Sequence, residues 1–146
     1  MFKLIETNDF NGLTEIFHNN GLEIAIGAAP PEGLIKCWEI IEAESGRRVG
    51  GMALEKRAGE FVLGDMAVEK EYRRKKLGAQ MLEKVIEEVK SLGGKRIMLT
   101  AKVPGFYIAK GFISIDRENA PAISKCMSCE QYNVDCFPKV MYFDID

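Results

Sequence analysis

A single α/β domain, with a central mixed β-sheet flanked by helices, is the fold that the 146-residue sequence predicts. Three observations carry it. A long amphipathic pattern over residues 77–92 lies between two apolar segments, a strand–helix–strand crossover whose strands should be parallel near-neighbours. Ahead of it, the strand-like runs 34–43, 48–56 and 61–68 are separated by short polar turns, the signature of an antiparallel meander. Further strand-like segments occur near both ends of the chain, so the sheet should have a parallel part and an antiparallel part.

Taken in order, Phe2, Lys3, Leu4 and Ile5 suit a short first strand. Asp9 can cap a helix whose apolar face carries Leu13, Ile16 and Phe17 at helical spacing. Gly21 and the run Pro30, Pro31, Glu32, Gly33 break regular structure. Trp38, Ile40 and Ile41 lie in the next strand, and the turns at 44–47 and 58–60 complete the two hairpins. Leu77, Met81, Leu82, Val85, Ile86, Val89 and Leu92 form one apolar stripe on the long helix. Gly93 and Gly94 should end it. Ile97, Met98 and Leu99 mark a buried strand, and Pro104 opens a short helix containing Phe106, Tyr107 and Ile108. Gly111 stops that helix, and strands are expected at 112–115 and 140–145. No internal repeat, low-complexity segment or linker interrupts this order.

Composition narrows the function classes. A hydrophobic fraction of 47% with 29% charged residues belongs to a globular chain able to bury a core. A net charge of -2 argues against a dedicated nucleic-acid binder, whose domain is usually clearly basic. No apolar stretch reaches the length of a membrane span. Glu6 and Asp9 interrupt the N-terminal segment, which does not read as a signal peptide. A cytoplasmic protein, monomeric or homodimeric, without membrane or nucleic-acid partners, is the expectation. Its four cysteines are then thiols or metal ligands rather than disulfides.

The basic run Arg73, Arg74, Lys75, Lys76 stands at the start of the long helix. The first N–H groups of a helix have no intrahelical partner and can point at an anion. Cations at this end oppose the helix dipole, a conflict that a bound polyanion removes. The plainer alternative is a solvated basic loop. His18, the sole histidine, reads as a partly exposed helix residue. Cys126, Cys129 and Cys136 follow a C-x-x-C-x6-C spacing that suits a zinc knuckle or a redox pair. Only three cysteines are local; Cys37 lies on a distant strand, and Asp135 and His18 are the possible fourth ligands. Reduced thiols in an insertion at 116–137 are the expectation, and no metal site is assigned.

The order of elements resembles the GNAT superfamily of acyl-CoA-dependent N-acyltransferases. Arg73, Arg74, Lys75, Lys76, Leu77, Gly78 and Ala79 resemble its pyrophosphate loop. Phe106, Tyr107, Ile108, Ala109, Lys110, Gly111 and Phe112 resemble its second motif, an aromatic pair followed by Gly-Phe. Val49, Gly50 and Gly51 suit the preceding strand. One departure is Lys76, which stands where the family usually has its first loop glycine; a lysine keeps the N–H donor and adds charge, provided its backbone conformation is ordinary.

The resemblance implies an N-acetyltransferase that moves an acetyl group from acetyl-CoA to a primary amine of a small molecule, peptide or protein. It implies that Met66, Ala67 and Val68 pair with the pantetheine arm, and that Arg73 through Ala79 hold the pyrophosphate. Tyr107 matches the tyrosine that faces the coenzyme sulfur and protonates the leaving thiolate; a boundary tyrosine beside Phe106 is the plainer reading. Asp65, one residue before the pantetheine segment, is the first candidate for the base, acting through water, with Glu60 the second. A non-catalytic acyl-CoA binder and a cysteine-cluster metal or redox protein on the same scaffold are the alternatives.

Overall fold

The computed structural model describes residues 1–22, 24–101, 104–116 and 139–145. In chain order the elements are β1 (Phe2–Thr7), α1 (Phe10–Asn19), β2 (Leu34–Glu42), β3 (Arg48–Arg57), β4 (Glu60–Val68), a 3-10 turn (Lys70–Lys75), α2 (Leu77–Ser91), β5 (Arg96–Ala101), α3 (Gly105–Ala109), β6 (Ile113–Ile115) and β7 (Lys139–Asp144). Among the described residues the strands form one seven-stranded sheet in the order β1-β2-β3-β4-β5-β7-β6. Only the β4–β5 pair is parallel; the other described pairs are antiparallel. This is the predicted mixed α/β fold. Among the described residues no helix is long and apolar enough to cross a membrane. Beyond Asp116, the expected insertion with Cys126, Cys129, Asp135 and Cys136 lies outside the described residues.

The alternation of side chains along each strand divides the core in two. On one face, Leu77, Met81, Leu82, Val85 and Val89 of α2 pack with Trp38, Met52, Leu54, Leu63, Ile97 and Leu99. On the other, Phe10, Leu13, Ile16 and Phe17 of α1 pack with Cys37, Ala53 and Ala67. Adjacent residues such as Met52 and Ala53 therefore serve opposite layers. Each fully buried large side chain contributes about 1.5–3 kcal/mol relative to exposure. The predicted α2 stripe holds except at its end. Leu92 is 47% exposed, because the helix stops at Ser91 and a glycine cap turns the chain away. Gly93 and Gly94 donate to the carbonyls of Lys90 and Val89 at 3.0 and 2.8 Å, the paired bonds of a Schellman ending.

The start of α1 is built as expected from Asp9. Its Oδ1 accepts the Gly12 N–H at 3.0 Å, and its Oδ2 accepts from Arg48 of β3 at 2.9 Å. Arg48 and the Gly12 N–H hold the Asp9 carboxyl below the usual aspartate range. Asp9→Ala should lower stability by about 0.5–2 kcal/mol, the ordinary cost of losing such a cap. The folded-state pKa is depressed, so this contribution is present above about pH 4 and is lost as pH falls below it. Urea denaturation of both proteins at pH 7 and pH 3 measures the effect; a gap that persists unchanged at pH 3 contradicts it.

Candidate active site

The site begins where two neighbouring strands part. Among the described residues, β4 pairs with β5 at Phe61↔Ile97 and Val62↔Met98 only. Beyond that point β4 stays with β3, while β5 pairs with β7 from Arg96 to Ala101. A bulge on β4 accompanies the separation. The β3–β4 register runs Leu54↔Leu63 and then Ala53↔Asp65, leaving Gly64 as the extra residue. Bulges bend a strand and increase its twist. A Cβ at Gly64 would lie 2.6 Å from Glu55 Oε2, so a side chain there would have to displace the Glu55 carboxylate.

Among the described residues, the second half of β4 therefore has one side without a strand partner. The Glu69 N–H donates to the Val49 carbonyl at 2.8 Å, so it points at β3. Alternation then turns the main-chain groups of Ala67 towards β3 and those of Met66 and Val68 into the opening. The Val68 carbonyl accepts from Arg73 Nε at 3.0 Å. Of the predicted pantetheine segment, Met66 and Val68 thus face the opening through their main chain. Ala67 faces β3 through its main chain and packs its methyl on α1.

The opening leads straight to the N-terminus of α2. The connecting segment 70–75 is a 3-10 turn tied at both flanks. Glu69 accepts from Arg47 at 3.2 Å and from Asn20 at 2.9 Å. Arg73 also donates to Asn20 Oδ1 at 2.5 Å, so its side chain joins β4 to the end of α1. Arg74, Lys75 and Lys76 are exposed, and none makes an ion pair among the described residues. The backbone of Lys76 is not ordinary: it is left-handed, with φ 60° and ψ 21°. The lysine keeps the conformation that a glycine would take, at a cost of about 1–2 kcal/mol. The N–H groups of Leu77, Gly78 and Ala79 follow as the unpartnered first donors of the helix.

The two motifs meet here. A Cβ at Gly78 would lie 3.4 Å from the Phe106 ring, so α3 sits against the first turn of α2. Phe106 and Tyr107 make an edge contact at 5.1 Å between centroids, and Tyr107 meets Phe112 at 5.6 Å. Tyr107 is half-buried against the core on the α2 side. Burial pushes its phenol up to about 12, so the hydroxyl stays protonated across the physiological range.

The other candidates fall elsewhere. Asp65 is buried on the α1 side, in the row Cys37↔Ala53↔Asp65 across three strands. Burial first, and the Asp65 charge second, push the Cys37 thiol up to about 11. Glu60 lies at the closed end of β4, before the paired positions Phe61 and Val62. His18 is exposed at the end of α1, with Nδ1 2.9 Å from the Ile24 carbonyl. Among the described residues no group of three or more His, Cys, Asp or Glu side chains could hold a metal ion. A carboxylate that the sequence does not single out is Glu55 of β3, 5% exposed, whose side chain reaches over the bulge at Gly64. Its strand ending, Glu55, Lys56, Arg57, reads as ordinary polar alternation, and only the register reveals its neighbour.

Comparison with known proteins agrees with this geometry. The family model described as acetyltransferase (GNAT) domain matches residues 35–114, which run from β2 to β6. Among solved structures, the GNAT-family acetyltransferase of Staphylococcus aureus Mu50 is similar at a TM-score of 0.72 and 22% identity, with 100% of both chains covered. An acetyltransferase of Bacillus subtilis in complex with CoA gives 0.71 and 17%, again over 100% of both chains. The ribosomal-protein-S18-alanine N-acetyltransferase of Escherichia coli gives 0.69 and 16%, over 100% of this chain and 95% of that one. At such identities the likeness is one of fold. A search of the curated proteins finds no match. The family model spans more than half of the sequence, and the chain belongs to the GNAT acetyltransferase family.

Proposed function

We propose that the protein transfers an acetyl group from acetyl-CoA to a primary amine of a small molecule, peptide or protein, by direct attack in a ternary complex. The observation that carries this reading is the continuity of the opening beside β4 with the basic N-terminus of α2. An extended pantetheine arm fits the opening as an added strand, using the main-chain groups of Met66 and Val68. The pyrophosphate falls to the N–H groups of Leu77, Gly78 and Ala79 and to the charges of Arg74, Lys75 and Lys76. Arg73 supports the same site at its edge, by holding the Val68 carbonyl and Asn20.

Acyl transfer needs a polarised thioester carbonyl, a neutral amine and a protonated leaving thiolate. A β4 main-chain N–H facing the opening, that of Met66 or of Val68, supplies the first. Tyr107 is the donor for the third: its ring lies against Phe106, which touches the first turn of α2, and its phenol is held protonated by burial. Asp65 is the proposed base, acting through water from the α1 side of the sheet. Transfer to nitrogen then leaves an amide and free coenzyme A.

Acetyl-CoA should stabilise the protein by linkage, by about 2.7 kcal/mol at ~100 times its dissociation constant. Arg74→Glu with Lys75→Glu should remove most of that thermal shift and leave the apo melting temperature nearly unchanged. Arg73→Glu should instead lower the apo melting temperature, since it breaks two internal hydrogen bonds. Absence of both a thermal shift and calorimetric binding heat with the wild type would sink the coenzyme reading.

Lys76→Gly separates backbone from charge at the loop. Relief of the left-handed cost and the extra unfolded-state freedom of glycine oppose each other, so stability should change by less than about 1 kcal/mol. Acetyl-CoA affinity should fall by no more than about threefold if the main-chain donors dominate. Calorimetric titration decides; a loss of a hundredfold would make the Lys76 charge the principal contact.

Tyr107→Phe keeps the ring packing and removes the proton donor. Turnover should fall by about 10² to 10⁴, the usual contribution of a positioned acid, with coenzyme affinity little changed. The phenol pKa is raised, so the donor is retained as pH rises past the normal tyrosine value and is lost only towards about 12. Wild-type turnover that declines near pH 10, with no such decline in Tyr107→Phe, would contradict the raised value.

A further inference from the structure

We infer that Glu55 receives the acceptor amine, and that the acceptor is a cationic aminoalkyl compound with no carboxylate beside its reacting nitrogen. This inference rests on the acetyltransferase reading of the same opening. Glu55 follows Ala53 by two residues on β3, with the bulge carried by β4, so it shares the α1 face of the sheet with Ala53 and Ala67. Its carboxylate lies over Gly64, at the point where β4 and β5 begin to part. Gly64 stands two residues, roughly 7 Å of strand, from Met66. Tyr107 packs on the opposite, α2, face. The opening is thus flanked by an acid donor on one face and a fixed anion on the other, which suits a thioester lying between coenzyme and amine.

A recess continues from Glu55 away from the opening. It has a volume of about 470 Å³ and is lined by Pro31, Glu32, Gly33, Glu55, Lys56 and Arg57. The loop is pinned to the strand, because the Lys56 N–H donates to the Gly33 carbonyl at 2.7 Å. Its charges are unequal in availability. Arg57 Nε lies 3.2 Å from Glu55 Oε1 and is engaged there. The Lys56 ammonium lies on the other face, 4.6 Å from the centroid of the Phe61 ring, so Lys56 lines the recess through its main chain. Glu32 is exposed at the rim. Among the described residues Glu55 shares its charge with Arg57, while Glu32 makes no ion pair at the rim, an arrangement that favours an ammonium over an amine carrying its own carboxylate.

Across the opening, the Oγ1 of Thr100 on β5 is buried and, among the described residues, has no hydrogen-bond partner. Thr100 follows Met98 by two residues and so lies on the Val62, Met98 and Val140 side. Among the described residues that hydroxyl is a second polar group at the same mouth, and a bound amine can satisfy it.

The test uses the full chain, acetyl-CoA and free-thiol release, with putrescine and n-butylamine as cationic probes and glycine as the carboxylated one. The wild type should acetylate the cationic probes with KM about tenfold or more below that for glycine. Glu55→Gln should raise KM for the cationic probes by about tenfold or more, leave glycine unchanged, and keep the acetyl-CoA thermal shift; Glu55→Asp should restore part of the loss. Gly64→Ala, whose methyl meets the Glu55 carboxylate, should reproduce the KM defect and carries the test should Glu55→Gln not fold. Unchanged KM in these variants, a preference for glycine, or failure of the wild type on both cationic probes overturns the inference. The coenzyme measurement separates the two readings: wild type that binds no acetyl-CoA overturns the donor reading and this one together, whereas intact coenzyme binding with an unaffected KM overturns Glu55 alone.

Discussion

The parting of β4 from β5 is the constraint on which the rest of the molecule depends. A parallel pair inside a sheet normally continues until one strand ends. Here two paired positions suffice, and then each strand follows its antiparallel neighbour. The energetic logic is plain. Backbone groups left inside a sheet without partners are costly unless something else satisfies them. Part of that demand is met within the chain, where Arg73 donates to the Val68 carbonyl. What remains, among the described residues, are the other main-chain groups of Met66 and Val68 that face the opening.

The bulge makes this arrangement possible and also explains its glycine. An extra residue in β4 bends the strand away from β5, and the Glu55 side chain closes over the bulge on the α1 face. Both core layers hold this strand in place. Val68 and Leu63 are anchored on the α2 side, and Ala67 packs on α1. The β4 side of the opening is therefore held by packing on both faces.

Charge is arranged along the same line. The run Arg73, Arg74, Lys75, Lys76 does not act as a block. Arg73 belongs to the fold, through Asn20 and Val68, while its three successors are exposed at the start of α2. Lys76 holds a left-handed backbone that a glycine would adopt at no cost. Such strain survives where packing fixes the chain on both sides, as the 3-10 turn and α2 do here.

Much of this was legible in the residues themselves. Hydrophobic periodicity located the strands and helices, because side-chain burial repeats every second residue on a strand and every third or fourth on a helix. The glycine ending of α2, the Asp9 cap and the two motifs were readable for the same reason, since each is a local preference of the backbone. Leu92 shows the limit of that reading: its spacing fits the stripe, but the glycine cap removes it from the core. What the tertiary structure alone decided depends on register between segments distant in sequence. The gap after Val62, the bulge at Gly64, the separation of Arg73 from its neighbours and the placing of Glu55 over Gly64 all come from tertiary pairing. No short-range pattern encodes such pairing, because each partner is chosen by the packing of the whole sheet.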